Sequence, residues 1–445
     1  MKKIAFLLSI TSILSVQATY SQNTNVLPIQ NNKPERIEWF ADLGLGMFIH
    51  WSFDVQLGSV ISHTMVGASD EYLDDYFKLQ QSFDPQNFNP KQWAKLAKLA
   101  GFQYVVFTTK HHNGFCMYDT ETTDFSIINT PFGKDATKEI FEAFRAEGIA
   151  IGVYYGPEDW KFIYEQGITI SRDHTTQANP EHNPELNRFV KQQLKELLTN
   201  YGQIDIVFLD GMMGTPYLNT EFAAYCWELQ PNVVVTRGGM ETPEQRLPTE
   251  PLENAWEACF TLGTQWQYKP TNEVYKSGTT LINMLLETRA KNGNLLLNIG
   301  PTPDGGIPQQ QEDIIRELAL WMRVNHQAVI GTRPFDKVKQ DNIYFTQSKD
   351  GNTLFASVTD EVWKHGERKE FLIEDVHVAE GGEVTVLGHN GKVIEYNPDK
   401  DAKVYWKNTE RGLLVSAVRG QRLYNNFQWP NPVVIKVESF SRTKQ

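Results

Sequence analysis

Residues 183–211 read NPELNRFVKQQLKELLTNYGQIDIVFLDG, and this stretch decides the fold. Asn183 and Pro184 open a helix, Phe189, Val190, Leu194, Leu197 and Leu198 recur on one face, and Gly202 stops it. A short run follows, Ile204–Asp210, apolar nearly throughout as a strand buried on both faces must be, and it ends on a carboxylate. One amphipathic helix feeding one two-sided strand is the repeating unit of a parallel α/β fold.

The unit recurs outward in both directions. Strands are predicted at Leu45–His50, Tyr104–Thr109, Ile149–Tyr155, Val233–Arg237 and Asn294–Ile299. Between them, Asn89-Pro90 opens a helix carrying Trp93, Leu96 and Leu99 and closed by Gly101. Asp135 caps one with Ile140, Phe141 and Phe144 on a face, and Glu312–Val329 reads as the last. Fewer than eight clear strands emerge, so the expectation for residues 23–333 is an α/β, somewhat irregular (β/α)8-like (TIM) barrel, with a doubly wound open sheet as its rival. The pattern then changes. Leu354–Val358, Glu370–Ile373, Glu383–Leu387, Lys403–Trp406, Leu413–Val418 and Val433–Val437 are strands parted by Gly, Asn and Asp turns, so residues 334–445 are expected to form an antiparallel β-sandwich.

Residues 1–22 carry Lys2 and Lys3, an apolar run from Ile4 to about Val16, then small and polar residues. That is the pattern of a secretory signal peptide, too short for a membrane span, with no cysteine near the cleavage region to take a lipid. The expected product is secreted or periplasmic, without a membrane span. The full sequence's net charge of −12 disfavours nucleic acid, whose phosphates an acidic field repels. Three scattered cysteines, Cys116, Cys226 and Cys259, form no CxxC pair, so neither disulfides nor a thiolate metal site is expected. Eleven Trp, 17 Tyr and 25 Phe suit a site that stacks on flat apolar faces such as those of sugars.

In a parallel barrel, chemistry gathers at the carboxyl ends of the strands. His50 and Trp51 stand past the first strand, His111 and His112 past the second, Tyr154 at the end of the third, Asp210 past the fourth and Arg237 past the fifth. Asp210 follows an otherwise greasy strand, although Asp-Gly is also a common turn. Glu257, beside Trp256, has a setting that raises a carboxyl pKa for acid duty. His111-His112 lacks HxH or HExxH spacing, so no metal is expected, and hydroxyl contacts or core packing are the alternatives. Gly44-Leu45-Gly46 precedes a strand and is no nucleotide fingerprint.

Together the ordered segments GMFIHW (46–51), YVVFTTKHHNGF (104–115), GVYYGPEDW (152–160), LDG (209–211), WEAC (256–259) and NLLLNIGP (294–301) resemble glycoside hydrolase family 29, the α-L-fucosidases. The resemblance implies a barrel followed by a β-sandwich, and a retaining exo-glycosidase acting on oligosaccharide or polysaccharide without a cofactor. Carried over by motif, it gives Asp210 as nucleophile and Glu257 as acid/base. His50, His111, His112, Tyr154 and Arg237 become sugar contacts, with Trp51, Phe208 and Trp256 as apolar wall. Two carboxyl groups about 5–5.5 Å apart are then expected.

The sequence departs from the family where the sugar is read. The usual Glu-Trp pair after the first strand is absent from residues 58–65, where His63 is the substitute, Tyr118 stands for a Trp, and Gly156 for a Ser. An imidazole donates where a carboxylate only accepts. That change opens exo-α-L-galactosidase action as an alternative, and a non-catalytic carbohydrate-binding paralogue as a different class, against which the retention of Asp210 and Glu257 argues. Trp363, Trp406 and Trp429 in the C-terminal region either bind glycan or pack its core.

Overall fold

The computed structural model describes residues 32–172, 177–211, 221–420 and 431–442; the expected leader and Trp429 lie outside them. Seven parallel strands form one sheet: β1 (Leu45–Ile49), β2 (Tyr104–Lys110), β3 (Ala150–Tyr155), β4 (Ile206–Leu209), β5 (Val234–Val235), β6 (Trp256–Thr261) and β7 (Gly293–Ile299). Their order is β5-β4-β3-β2-β1-β7-β6. Alternate residues face two different cores, as period-two strands require. Leu45, Met47 and Ile49 pack outward with Phe107, Val153 and Leu297 beneath the helices. Phe48, Tyr104, Val106, Tyr154, Phe208, Cys259 and Leu296 fill a separate interior cluster enclosed by the curl of the sheet.

Helices start where their caps dictate. Asn89, Asp135 and Asn183 each accept a backbone N–H three residues on, at 3.2, 2.8 and 3.1 Å, and so satisfy amides the helix itself cannot. Close packing inside the curl needs Gly46, because a Cβ there would meet the Tyr104 ring at 2.2 Å.

Between the sheet edges β5 and β6 lies an irregular stretch. Residues 241–245 run beside β6 on three backbone hydrogen bonds, Glu257 N to Glu241 O, Cys259 N to Pro243 O and Gln245 N to Cys259 O, with one parallel bridge between Glu244 and Cys259. Among the described residues the parallel sheet therefore has seven strands, and this segment takes the place where an eighth was expected.

The chain continues through β8 (Thr332–Gln340), β9 (Ile343–Ser348), β10 (Thr353–Val358), β11 (Arg368–Glu374), β12 (Val376–Val386), β13 (Tyr405–Thr409), β14 (Gly412–Val418) and β15 (Val433–Arg442). These make two antiparallel sheets, β12-β15-β10-β9-β8 and β11-β14-β13. Both feed one apolar core, in which Leu354, Val376 and Ile435 of the first meet Phe371, Ile373 and Val415 of the second. Trp363 is buried in it, whereas Trp406 on β13 is partly exposed.

A buried Arg289 ties the halves together. It donates to the carbonyls of Ala41, Gly293, Val329 and Thr332 and to Asn294 Oδ1. It thereby joins the first helix, β7 and the start of β8 in one knot.

Candidate active site

A cavity of about 380 Å³ opens at the carboxyl ends of the strands. Each strand delivers what its last residues carry. His50, His111, His112, Tyr154, Phe208, Asp210 and Arg237 all line it, as does His63 from the loop after β1.

Asp210 is the centre of the charge network. Arg237 Nη1 donates to its Oδ1 at 2.6 Å, Tyr154 Oη donates to Oδ2 at 2.6 Å, and His112 Nε2 lies 3.6 Å from Oδ2. Burial pushes this carboxyl's pKa up, but the Arg237 charge, His112 and the two hydrogen bonds outweigh it and hold the pKa well below the ordinary range. Asp210 is therefore an anion throughout the physiological range. The same cost of burial falls on Arg237, where the neighbouring Asp210, Cys259 and Glu244 together outweigh it and raise its pKa. Gly211 has φ +85, and a Cβ there would strike His112 Cε1 at 2.5 Å, so only glycine lets the imidazole sit against the rim.

The histidines are fixed from behind. His50 Nδ1 is 2.6 Å from Asn298 Oδ1, whose amide nitrogen donates to the Trp266 carbonyl; the amide oxygen can only accept, so Nδ1 carries the hydrogen and Nε2 is left to accept. Burial lowers the His50 pKa to about 3 despite that bond, so the ring is neutral. His111 stacks flat on Tyr154 at 5.4 Å, and its Nδ1 meets Ser62 Oγ at 2.7 Å. Ser62 adopts φ 62, held there by its N–H on the buried Asp54 carboxylate at 2.7 Å. That is strain kept directly behind a histidine that lines the cavity. His112 stacks on Trp160 at 5.2 Å.

Three expected site residues lie elsewhere. Glu257 is the second residue of β6, at the amino end of the sheet and so remote from the rim; it is fully buried and its Oε2 accepts from Tyr104 Oη at 2.5 Å. It does not line the cavity, and it corrects the acid/base expectation. Trp256 beside it is buried, donating to Lys291 O. Trp51 faces outward beneath the helices, packed on Phe83, Phe88 and Trp93 and bonded to Thr302 O. Each follows from strand geometry. A residue that opens a strand sits at the floor, and one that points outward cannot reach the mouth.

The carboxylate that does stand beside Asp210 is Glu244, on the irregular segment at residues 241–245. Arg237 Nη1 also donates to Glu244 Oε2, at 3.1 Å. One nitrogen touching both oxygens keeps them no farther apart than the sum of its two contacts. The spacing of about 5–5.5 Å used by retaining glycosidases falls inside that limit. Phe48 and Trp266 add an aromatic wall around His50, at 4.4 and 4.8 Å between rings. The motif reading gave no role to Glu244, Trp266, Glu158, Trp160 or Arg172, all of which line the cavity. Of these, Glu158 and Trp160 fell within a quoted motif, GVYYGPEDW (152–160).

His111, His112 and Asp210 could bring three ligand atoms within 4.8 Å of one another. Both Asp210 oxygens are already engaged by Arg237 and Tyr154, an arrangement that suits a carboxylate kept for chemistry more than a metal ligand.

An ionised carboxylate at the rim of a parallel α/β sheet, in a pocket of imidazoles and aromatic faces with a second carboxylate in reach, defines a glycoside hydrolase. The chain belongs to the α-L-fucosidase family, glycoside hydrolase family 29: the model of that family, described as alpha-L-fucosidase, matches residues 10–327. The plasma alpha-L-fucosidase of Rattus norvegicus is 29% identical over 409 residues, 82% of this chain and 86% of the relative. That of Homo sapiens is 29% identical over 357 residues, 70% and 74% of the two chains. Among solved structures, alpha-L-fucosidase isoenzyme 1 from Paenibacillus thiaminolyticus superposes with a TM-score of 0.73 at 31% identity, covering 91% of this chain and 99% of its own. The Thermotoga maritima alpha-fucosidase in complex with a mechanism based inhibitor gives 0.68 at 25% identity, over 90% and 96%.

Proposed function

We propose that this chain is a retaining exo-α-L-fucosidase in which Asp210 is the nucleophile and Glu244 the acid/base. The observation that carries this is the single guanidinium nitrogen of Arg237 contacting both carboxylates. In the first half-reaction Asp210 attacks the anomeric carbon while the Glu244 carboxyl protonates the departing glycosidic oxygen, leaving a glycosyl-enzyme ester. In the second, Glu244 deprotonates a water that attacks the same carbon and frees Asp210. As the ester forms, Arg237 and Tyr154 transfer their hydrogen bonds from a full carboxylate to a weaker acceptor, and recover them when it is released. The site completes the cycle with its own side chains. The ordered relatives named alpha-L-fucosidases support the sugar assignment, and the N-terminal pattern of residues 1–22 supports export to the periplasm or medium. The barrel expected of the family is supported by seven parallel strands and the irregular segment at residues 241–245.

A second sugar is favoured by one observation. Arg172 and His63 put nitrogen donors in the cavity wall, and L-galactose differs from L-fucose by a hydroxyl on the methyl carbon that such donors could hold. Aryl α-L-fucoside and aryl α-L-galactoside should therefore be assayed side by side with wild type, Asp210→Gly and Glu244→Ala. The expected result is preference for the fucoside, near-complete loss in Asp210→Gly with partial return on adding azide, and a loss of about 10²–10⁴ in Glu244→Ala that is smallest for an activated leaving group. Preference for the galactoside would reassign the sugar. Background equal in wild type and Asp210→Gly would replace the enzyme reading with a binding one.

A further inference from the structure

His63 and Arg172 are cavity residues that the proposed double displacement does not use. They come from different loops, after β1 and after the helix Trp160–Glu165, yet Arg172 Nη2 meets His63 Nε2 at 2.8 Å. A guanidinium can only donate, so His63 Nε2 accepts and the ring hydrogen is on Nδ1, a second donor with no partner among the described residues. Protonating the ring would set an imidazolium against a guanidinium. Burial and that neighbouring charge together lower its pKa to about 4. The pair is therefore a fixed donor set carrying one permanent positive charge.

No carboxylate pairs with Arg172 among the described residues. The cavity's acids are spent or placed elsewhere. Asp210 and Glu244 share Arg237, Glu158 faces His112 Nδ1 at 3.9 Å, and Glu241 is on the segment that runs beside β6. Beyond His63 the floor continues into a second hollow of about 340 Å³, lined by Thr64, Gln265 and Lys269 among others and holding no acid. Lys269 Nζ donates to Thr264 Oγ1 and the Asn272 carbonyl and forms no ion pair among the described residues. In a chain of net charge −12, an acid-free path from Arg172 past His63 to Lys269 stands out.

We infer that this path binds an anionic substituent, a sulfate ester or a carboxylate, on the terminal sugar itself, so that the natural substrate is an acidic glycan. The planar fork of Arg172 matches the paired oxygens of either group, and His63 Nδ1–H and Lys269 supply further donors. The substituent belongs to the sugar being released because His63 lies on the histidine side with His111, 6.3 Å between rings, whereas the leaving group departs toward Glu244. The inference rests on the glycosidase reading above.

The probes are 4-nitrophenyl α-L-fucoside and its 3-O- and 4-O-sulfates, carboxymethyl ethers and methyl ethers. At one of the two positions the sulfate or carboxymethyl compound should exceed the methyl ether in kcat/KM by at least about tenfold, as expected for charge-assisted bonds. The advantage should shrink as salt is raised. Arg172→Met and Lys269→Met should each pull that ratio toward one, with Arg172→Lys retaining part of it. Which anion gains more tells sulfate from carboxylate. Equal rates for charged and methylated compounds at both positions, or a ratio that survives both methionine variants, would overturn the inference. Loss of turnover on the unsubstituted fucoside alone would instead count against fucose as the sugar.

Discussion

Replacing Glu257 by glutamine separates the two roles this residue could hold. The carboxyl is fully buried and its Oε2 accepts from Tyr104. Burial raises its pKa from 4.5 to about 7, against the smaller pulls of the Tyr104 and Thr236 hydroxyls and the Arg237 charge. In the unfolded chain it ionises near 4.5. Between those values the native state therefore holds a proton that the unfolded state has lost, so stability falls as pH rises. The loss begins near pH 4.5, is complete just above 7 and is flat beyond; at 1.36 kcal/mol per pKa unit it amounts to ~3 kcal/mol. Glutamine cannot ionise, and its side-chain oxygen still accepts from Tyr104. Thermal unfolding of wild type and Glu257→Gln at pH 5, 6, 7 and 8 should show the variant gaining on wild type step by step, by about 3 kcal/mol in all. Hydrolysis of an aryl fucoside should stay within a few-fold of wild type, where loss of a true acid/base costs about 10²–10⁴. A stability difference that does not move with pH would refute the burial reasoning. A collapse of activity in a folded variant would return Glu257 to the chemistry.

Arg237→Met removes the largest influence that holds the Asp210 pKa down, so the acid limb of the pH–rate profile should move to higher pH as well as kcat/KM falling; an unmoved limb would separate Asp210 from that titration. Ser62→Ala keeps the left-handed φ but drops the bond to His111, whereas Ser62→Gly drops the bond and relieves φ. Both should weaken hydrolysis, with the alanine variant less stable by roughly 1 kcal/mol in thermal unfolding. Arg289→Met leaves buried carbonyls from three elements without donors and should cost several kcal/mol, seen as a clear drop in Tm; a shift under about 2 °C would contradict the knot.

Strands buried on both faces were legible because nothing but apolar residues can occupy them: β1, β2, β3, β4 and β7 fall within two residues of their predicted bounds. β8 and β9 were missed, the first because TRPFDKVKQ is polar with a proline inside, half of it facing solvent. β6 was missed because WEACFT carries a glutamate, and there the fold and the site failed together. Asp210 and Glu257 look alike in one dimension, each a carboxylate next to an apolar run. One ends its strand and reaches the rim, whereas the other opens its strand and reaches the floor. Glu244 had no signal of its own, since residues 241–245 have neither helical nor strand period and are placed only by hydrogen bonds to β6. Tyr154, Arg237 and the histidines were legible by position, as polar residues just past greasy strands.

The irregular segment at residues 241–245 divides the site's heritable freedom unequally. Asp210 rides on a strand locked between two neighbours, where an inserted or deleted residue would shift every side chain behind it. Glu244 rides on a ribbon secured by three backbone bonds, followed by a loop that runs on to β6. Descendants and engineers alike can recut the leaving-group half, in length as well as in residue, without disturbing the half that attacks the sugar.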